Sequence, residues 1–434
     1  MMAPIEDQNL KEEEMETFDD EESLVQGGQA PNVSWGGRRK CLLASMLLLV
    51  GCVVFASTFL QSNHASVSLE PEQLLSAEVE PEQPLSAEML QTLDKCRNDT
   101  YTKCVMFSMR GSGLGSQLLN MYANRLYLEE TYGYSVFMVD EAAYNGYKLH
   151  GNRMLTGYFS APFFRVENEV QRDALDPYFP ERFSASTYDK LGFHDRLNSF
   201  YRDMVVSDPP AGALVMVGRG MFHHDVHNWM NHLPNRGYDR MVDAVCSDLQ
   251  FNEDAVHTLR WKRRKMYDDL PDLRQQPYNS VAFHVRRTDK LIRESKLYPA
   301  TEYVHILNAV LQQNSVAKES VKICFLATDD FSVTTEMQEA LTAQGYSCRL
   351  VFSPQEAGDS VTSAGDPSIR YRGMASLVFM TELSVMLEAT YFVGTFNSNV
   401  GALASVLRGC PDRYNASAHY ANSYGVDESY WYFR

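Results

Sequence analysis

Four strand-like segments alternate with four helix-like segments between residues 281 and 408. The strand candidates "VAFHV", "KICFLAT", "CRLVF" and "YFVGTF" are short, apolar and rich in β-branched or aromatic residues, as strands buried on both faces are. The segments between them, such as "ATEYVHILNAVLQQ", carry apolar residues at helical spacing. Strands that alternate with helices build parallel sheets, so this region predicts a doubly wound, Rossmann-like α/β domain.

A second strand–helix–strand pattern lies nearer the N-terminus. The strand candidates "CVMFSM" and "YSVFMV" flank the amphipathic segment "SQLLNMYANRLYLEETYG", and the glycine-rich turn "GSGLGSQ" joins the first strand to the helix. Such a unit predicts another parallel sheet with a right-handed crossover. Residues 145–275 are less regular, with a strand predicted at "ALVMVGRG" and helices around "CSDLQFNEDAVHTLRWKRRKMYDDL".

Residues 41–60 form a run of twenty residues without a charge. As a helix, a run of this length crosses the hydrocarbon core of a bilayer, which is ~30 Å thick. Arg38, Arg39 and Lys40 precede the run, and no cationic residue follows it before Lys95, so the positive-inside rule places the N-terminus in the cytosol. We therefore expect a single transmembrane helix rather than a cleaved signal peptide, with the C-terminal body in the lumen of the secretory pathway.

The formal net charge of −17 is concentrated near the N-terminus. Residues 1–60 carry ten acidic against four basic side chains, and residues 61–95 carry seven against one. The remaining chain is close to neutral, which disfavours nucleic-acid binding. Residues 61–95 also repeat "EPEQ" and are rich in Pro, Glu, Gln and Ser, a composition typical of a disordered spacer.

Six cysteines lie beyond the predicted membrane span, an even number that permits three disulfides in an oxidising compartment. Cys96 and Cys104 are the pair that closes most easily. Cys324 and Cys348 are either a disulfide or two core thiols on neighbouring strands. The sequon at Asn98 agrees with a lumenal body, because glycosylation takes place there.

Polar clusters follow three of the C-terminal strand candidates. They are "HVRRTDK" after the first strand, "ATDD" after the second and "GTFNSN" after the fourth. Ligands of doubly wound sheets bind beyond the carboxyl ends of the strands, and paired guanidinium groups suit phosphate oxygens. The clusters therefore predict a site for a nucleotide diphosphate, with a solvated run of charges at residues 286–290 as the alternative.

These clusters resemble the alpha-1,6-fucosyltransferases that add core fucose to N-glycans, and the related bacterial nodulation fucosyltransferases. The resemblance rests on "HVRRTDK" with Glu294 four residues past Lys290, on "PATEY" ending at Tyr303, on "LATDD", and on "TFNSN". The turn "GSGLGSQ" is similar to the family's glycine-rich loop. Glu382 stands where the family has Asp, and Asn399 where it has Gln.

The resemblance implies transfer of fucose from GDP-fucose with inversion, without a metal or other cofactor, by a GT-B architecture of two facing Rossmann-like domains. It implies that Glu294 is the catalytic base, with Lys290 as its proton or charge partner and Asp289 as the alternative carboxylate. It implies that Arg286 and Arg287 hold the donor diphosphate. The other residues that it places at the donor are His284, Tyr303, Asp329, Asp330, Glu382, Ser398, Asn399, Gly111, Gly113 and Gly115.

Together the pattern and the resemblance predict a Golgi type II membrane protein. The predicted segments are a cytosolic acidic tail at 1–40, an anchor at 41–60, a low-complexity stem at 61–95, an N-terminal Rossmann-like domain on the acceptor side at 96–275, a C-terminal donor-nucleotide domain at 276–412 and a C-terminal tail at 413–434. The expected acceptor is the core GlcNAc of N-glycans.

Three alternatives stay open. The SH3-like domain of animal members has no counterpart after residue 410, a difference that bears on acceptor choice, so a protein O-fucosyltransferase or a glycan alpha-1,2-fucosyltransferase is the alternative enzyme. An inactive glycan-binding scaffold is the alternative to an enzyme. His223 and His227 have the i, i+4 spacing of helical zinc ligands, but no glutamate follows in the HExxH pattern. The alternatives to a metal site are a loop or helix that touches the acceptor cleft and ordinary surface or core histidines.

Overall fold

The structure is a computed structural model of the 434-residue chain, and it describes the parts of the chain that carry the two predicted sheets. The described residues are 84–99, 101–109, 114–141, 158–160, 164–166, 169–179, 202–203, 205–206, 214–218, 222–268, 270–287, 297–352, 369–410 and 423–426. The predicted cytosolic tail and anchor lie outside them. Within these ranges, none of the helices combines the length and the apolar character needed to span a bilayer.

The N-terminal sheet has four described strands, all parallel, in the order β4-β2-β1-β5. Its apolar strands alternate with helices, as the βαβ pattern predicted. The elements of this part of the chain are α1 (Ala87–Asn98), β1 (Cys104–Ser108), α2 (Leu114–Tyr132), β2 (Val136–Asp140), β3 (Phe159–Ser160), β4 (Phe164–Val166), α3 (Glu169–Asp173), β5 (Leu214–Gly218), α4 (His223–Asn231), α5 (Tyr238–Asp248), β6 (Gln250–Phe251) and α6 (Glu253–Met266).

The C-terminal sheet has five described strands, also all parallel, in the order β11-β10-β7-β8-β9. The four predicted strands are confirmed, and β7 lies at the centre of the sheet. The elements of this part are β7 (Asn279–Val285), α7 (Ala300–Gln313), β8 (Val321–Thr328), α8 (Val333–Ala343), β9 (Arg349–Phe352), α9 (Ile369–Glu388), β10 (Tyr391–Thr395), α10 (Asn399–Arg408) and β11 (Ser423–Val426).

Helices cover both faces of this sheet because successive side chains of each strand point to opposite faces. On β8, Cys324 and Leu326 pack in the cluster that contains Leu307 of α7 and Leu341 of α8. On the same strand, Phe325 packs in the cluster that contains residues of α9 and α10. The result is the doubly wound arrangement expected for near-continuous apolar strands.

The first turn of α2 packs closely against the first turn of α10. A Cβ atom on Gly115 would lie 2.8 Å from the carbonyl oxygen of Asn399, so only glycine allows this approach. Because α2 follows β1 and α10 follows β10, the contact brings the carboxyl end of a strand of one sheet next to the carboxyl end of a strand of the other. Gly115, the last glycine of the predicted turn, therefore lies at the edge where the predicted donor residues Ser398 and Asn399 lie.

Three disulfides connect the six cysteines. Cys96 bonds to Cys104, as predicted, and Cys324 bonds to Cys348, which decides between the two alternatives left open for that pair. The third disulfide joins Cys246 of α5 to Cys410, two residues after α10. It covers a sequence separation of 164 residues, so it ties the end of α10 to a helix that precedes the C-terminal sheet.

Two elements fall where the sequence predicted none. Residues 423–426, within the predicted C-terminal tail, form β11, which pairs in parallel with β10 and extends the sheet from four strands to five. Helix α1 begins at Ala87, inside the predicted spacer, and buries Met89, Leu93 and Cys96. The C-terminal end of the predicted stem is thus folded onto the N-terminal sheet, because its apolar residues recur at helical spacing and Cys96 is anchored by its disulfide.

Candidate donor-binding site

The polar clusters after β7, β8 and β10 meet at one edge of the C-terminal sheet. The three strands are adjacent and parallel, with His284 paired to Gly394 and Val285 paired to Thr328. The residues that follow each strand therefore lie side by side at its carboxyl edge. The structure brings together Arg286 and Arg287, Asp329 and the turn that leads to Ser398.

Arg286 is held by Asp329. Its Nε lies 3.1 Å from Asp329 Oδ2, and its backbone N–H donates to Thr395 Oγ1 at 3.3 Å. The Arg286 side chain keeps 18% of its surface exposed, whereas Asp329 keeps 4%. A buried carboxylate that fixes a partly exposed guanidinium gives that cation a defined direction, which is the geometry that a bound anion needs.

The Arg287 side chain has other partners than Asp329. Its Nη1 lies 2.6 Å from Glu336 Oε2 on α8, and its Nη2 donates to the Tyr298 carbonyl at 3.1 Å. Its backbone N–H donates to Asp329 Oδ1 at 2.8 Å. Consecutive side chains at the end of an extended strand point to opposite faces, so the two arginines have different partners although they are neighbours. The terminal nitrogens of Arg287 are thus already bonded within the protein.

Thr395, the last residue of β10, connects β7, β10 and α7. Its hydroxyl donates to the His284 carbonyl at 3.1 Å and lies 2.6 Å from the Tyr303 hydroxyl, which is therefore the donor in that pair. Tyr303 is buried, and this burial raises the pKa of its hydroxyl to about 12, so the group stays protonated. Thr395 was not among the predicted residues, although it is the polar end of an apolar strand.

His284 faces the first turn of α10. A Cβ atom on Gly401 would lie 3.3 Å from His284 Nδ1. Burial, helped by the nearby charge of Arg286, lowers the pKa of His284 to about 4, so the ring is neutral near pH 7. Within the described part of the chain, His284 Nδ1 and Asn399 Oδ1 are buried and have no hydrogen-bond partner. Buried polar atoms of this kind indicate where a ligand would hydrogen-bond.

The first turn of α10 supplies backbone donors at the same edge. Ser398 is its N-cap residue, with φ −94° and ψ 133°, and its side chain makes no capping hydrogen bond. The first N–H groups of a helix have no acceptor within the helix, and the helix dipole adds positive potential there. Together with Arg286, this helix end can bind a phosphate group or another anion.

Replacing Gly401 with alanine tests the packing of this helix end. The new Cβ would overlap the backbone carbonyl of Thr395, which cannot move without displacing β10. We expect a loss of about 3 kcal/mol in the free energy of unfolding, measured from the urea midpoint at unchanged slope. Gly409→Ala at the other end of α10 is the control, because its Cβ would lie 2.8 Å from the Val242 side chain and 3.1 Å from the Val406 carbonyl oxygen, a looser backbone contact that should cost less. Equal losses in the two variants would contradict this packing argument.

Of the remaining predicted site residues, Asp330 and Glu382 lie within the described part of the chain. Asp330 accepts hydrogen bonds from the N–H and hydroxyl of Ser332 and so shapes the turn before α8. Glu382 lies on α9 with a half-buried side chain. The predicted catalytic residues Asp289, Lys290 and Glu294, together with Gly111 and Gly113, lie outside the described residues, and their roles stay predictions.

Two histidines of the histidine-rich segment hydrogen-bond to residues four positions away in the same segment. His227 Nδ1 lies 3.1 Å from Asn231 Nδ2, His232 Nδ1 lies 2.6 Å from the Asn228 carbonyl, and Asp225 pairs with Arg202 at 3.2 Å. Among the described residues, no group of three or more His, Cys, Asp or Glu side chains has the geometry of a metal site. The side chain of His223 is not described.

Solved structures similar to this one include those of NodZ, FUT1 and POFUT1. NodZ alpha-1,6-fucosyltransferase soaked with GDP-fucose is 12% identical, with a TM-score of 0.43, over 70% of this chain and 93% of that one; NodZ from Bradyrhizobium was also solved. A FUT1 variant from Arabidopsis thaliana in complex with GDP is 11% identical, with a TM-score of 0.45, over 74% of this chain and 73% of that one. POFUT1 in complex with GDP is 11% identical, with a TM-score of 0.38, over 71% and 94%.

Part of the sequence matches a family model. No curated protein sequence matches the chain. Residues 263–421, which include all the strand-end clusters of the C-terminal sheet, match the family model described as "Alpha-(1,6)-fucosyltransferase N- and catalytic domains". The match confirms the resemblance found in the strand-end residues. Over residues 263–421 the chain is therefore similar to the alpha-1,6-fucosyltransferase family, and it is a glycosyltransferase.

Proposed function

We propose that this protein transfers fucose from GDP-fucose to an acceptor hydroxyl with inversion at the anomeric carbon. The observation that carries the proposal is the position of Arg286. Asp329 holds its guanidinium at the carboxyl edge of a parallel sheet, beside the N-terminus of α10, within the region that matches the fucosyltransferase family. This is the place at which a doubly wound sheet binds a nucleotide.

The proposed reaction is a single displacement. The acceptor oxygen attacks the anomeric carbon, the bond from that carbon to the β-phosphate oxygen breaks, and GDP leaves with the bonding electrons. Negative charge develops on the diphosphate, where Arg286 and the N–H groups of α10 stabilise it. Glu294 takes the proton of the acceptor hydroxyl on the opposite face of the sugar, with Lys290 beside it. Fixed cations suit departure of a diphosphate without a metal ion, and we propose that none is required.

The donor side would be completed by buried groups that already lie at this edge. His284 and Asn399 offer a ring nitrogen and an amide oxygen without partners among the described residues. Tyr303 keeps the ends of β7 and β10 in register through Thr395. Gly115 of α2 packs against the first turn of α10, and this contact supports a GT-B arrangement in which the donor lies between two sheets.

We propose that the acceptor is the core GlcNAc of N-glycans, fucosylated through an alpha-1,6 linkage, and that the protein is a type II membrane protein of the Golgi. The family of residues 263–421 supports the linkage. The uncharged run at 41–60, with cationic residues only on its N-terminal side, supports the orientation.

One assay tests donor, acceptor and metal independence together. Full-length protein in detergent is incubated with labelled GDP-fucose and with N-glycans, folded glycoproteins or O-fucosylation substrates, each with and without EDTA. We expect transfer to the N-glycan core in EDTA. Transfer to a protein hydroxyl or to galactose would show that the proposed acceptor is wrong. Loss of activity in EDTA would overturn the metal-free mechanism. Glycan binding without release of GDP would show that the protein is a scaffold and not an enzyme.

A further inference from the structure

Arg287 and Glu336 form an ion pair, called the bracket below, in which the Arg287 side chain is 9% exposed and the Glu336 side chain 35%. Both terminal nitrogens of Arg287 are bonded, Nη1 to Glu336 Oε2 at 2.6 Å and Nη2 to the Tyr298 carbonyl at 3.1 Å. Each terminal nitrogen of a guanidinium carries two N–H groups, so these bonds fix the orientation of Arg287 without using all of its donors. Its Nε is buried without a hydrogen-bond partner among the described residues. The two bonds therefore indicate that Arg287 braces the chain around it.

The second oxygen of Glu336 completes the bracket. Oε1 accepts from the backbone N–H of Ala300 at 2.6 Å, and Ala300 is the first residue of α7. Pro299, the N-cap residue of α7, has no side chain that can cap the helix. Glu336 thus caps α7 from the neighbouring helix α8. The hydrogen bond from Arg287 lowers the pKa of Glu336, so the carboxylate stays charged at neutral pH.

The bracket closes a short length of chain. Arg287 and Tyr298 are eleven residues apart, and the bond from Arg287 Nη2 to the Tyr298 carbonyl joins the two ends of the segment between them. The backbone N–H of Arg287 is fixed as well, by Asp329 Oδ1 at 2.8 Å. Both ends of the segment that carries Asp289, Lys290 and Glu294 are therefore attached to α8 and to the turn after β8.

We propose that Glu336 is a positioning residue for the acceptor side of the reaction. It fixes both ends of the segment that carries the proposed base, through Arg287 at one end and through the Ala300 N–H at the other. The two adjacent arginines then divide the work, with Arg286 binding the donor diphosphate and Arg287 bracing the base-bearing segment. This inference rests on the proposed function and goes beyond it, because it assigns a role to Glu336 through its contacts with Arg287 and Ala300.

Glu336→Gln tests the proposal with a small change of shape. The amide keeps an oxygen for the Ala300 N–H but loses the charge that holds Arg287, so the segment should lose its fixed ends. We expect kcat for transfer to fall by about 10²-fold, as for misplacement of a catalytic group by an ångström. The GDP dissociation constant, measured by calorimetry, should change less than about twofold, since each tenfold change requires 1.4 kcal/mol of binding energy and the diphosphate contacts are untouched. Glu339→Gln, on an exposed position of the same helix, is the matched control and should retain wild-type kcat.

A second pair of variants keeps the test decisive if Glu336→Gln is poorly folded. Arg287→Lys should lower kcat while GDP affinity is retained, whereas Arg286→Lys should weaken GDP binding. If Arg287→Lys weakens GDP binding as much as Arg286→Lys, the bracket is wrong and Arg287 is a diphosphate ligand. Unchanged kcat in Glu336→Gln would also overturn it. Wild-type protein that never turns over GDP-fucose would overturn the proposed function instead, so the two failures are distinguishable.

Discussion

Arg286→Met is expected to lower kcat/KM for GDP-fucose by about 10³-fold, a loss within the range seen when a transition-state cation is removed. The guanidinium is the partly exposed cation at the edge where α10 begins, and Asp329 fixes its direction. Methionine fills a similar volume but carries no charge. The negative charge that develops on the departing diphosphate would then depend on backbone N–H groups alone, so both GDP affinity and turnover should fall.

This prediction needs a control for stability, because removal of Arg286 leaves the Asp329 carboxylate buried with a partner lost. An uncompensated buried charge costs several kcal/mol, about 3–5 in measured cases. The double variant Arg286→Met with Asp329→Asn removes both charges, and it should recover thermal stability without recovering GDP binding. Arg264→Met, at an exposed position of α6, controls for loss of a cation elsewhere. Wild-type GDP affinity in Arg286→Met would remove the case for a diphosphate site here.

The strand and helix pattern predicted most of the C-terminal sheet because that information is local. Apolar strands with period two and helices with period 3.6 can be recognised within each segment, and the strand-end rule then brings residues 286 and 329 together. Strand β11 was missed because "SYGV" has four residues and no apolar run. Its pairing with β10 follows from the sheet edge that it covers rather than from its own sequence.

The division of labour between the two arginines could not be predicted from the sequence. Arg286 and Arg287 are identical and adjacent, and only the fold shows that the first pairs with Asp329 and the second with Glu336. Glu336 gave no signal either, because a glutamate in the first turn of a helix is ordinary and its partners lie 36 and 49 residues away. Thr395 could have been predicted as a site residue, because it is a hydroxyl residue at the end of an otherwise apolar strand. Its three partners are visible only in the fold.

Glu294→Gln is the second prediction with a large expected effect. If Glu294 removes the proton of the acceptor hydroxyl, the amide cannot do so, and kcat should fall by about 10²–10⁴-fold, the usual contribution of general base catalysis. GDP affinity should stay close to that of the wild type, because the diphosphate contacts belong to Arg286 and α10. The measurement is steady-state transfer to a fixed acceptor, with GDP binding followed separately by calorimetry.

Asp289→Asn is the comparison that identifies the base, since Asp289 is the other carboxylate of the same segment. A wild-type rate in Glu294→Gln together with a large loss in Asp289→Asn would transfer the role to Asp289. The pH profile adds an independent criterion, because the acidic limb of kcat reports the pKa of the base in the enzyme–substrate complex and should disappear in the variant that lacks it. Loss of kcat with GDP binding retained places a residue on the acceptor side, loss of both places it at the donor diphosphate, and the lost acidic limb separates the base from a positioning residue. The ratio of the two measurements therefore assigns each residue to the acceptor or the donor side of the same displacement.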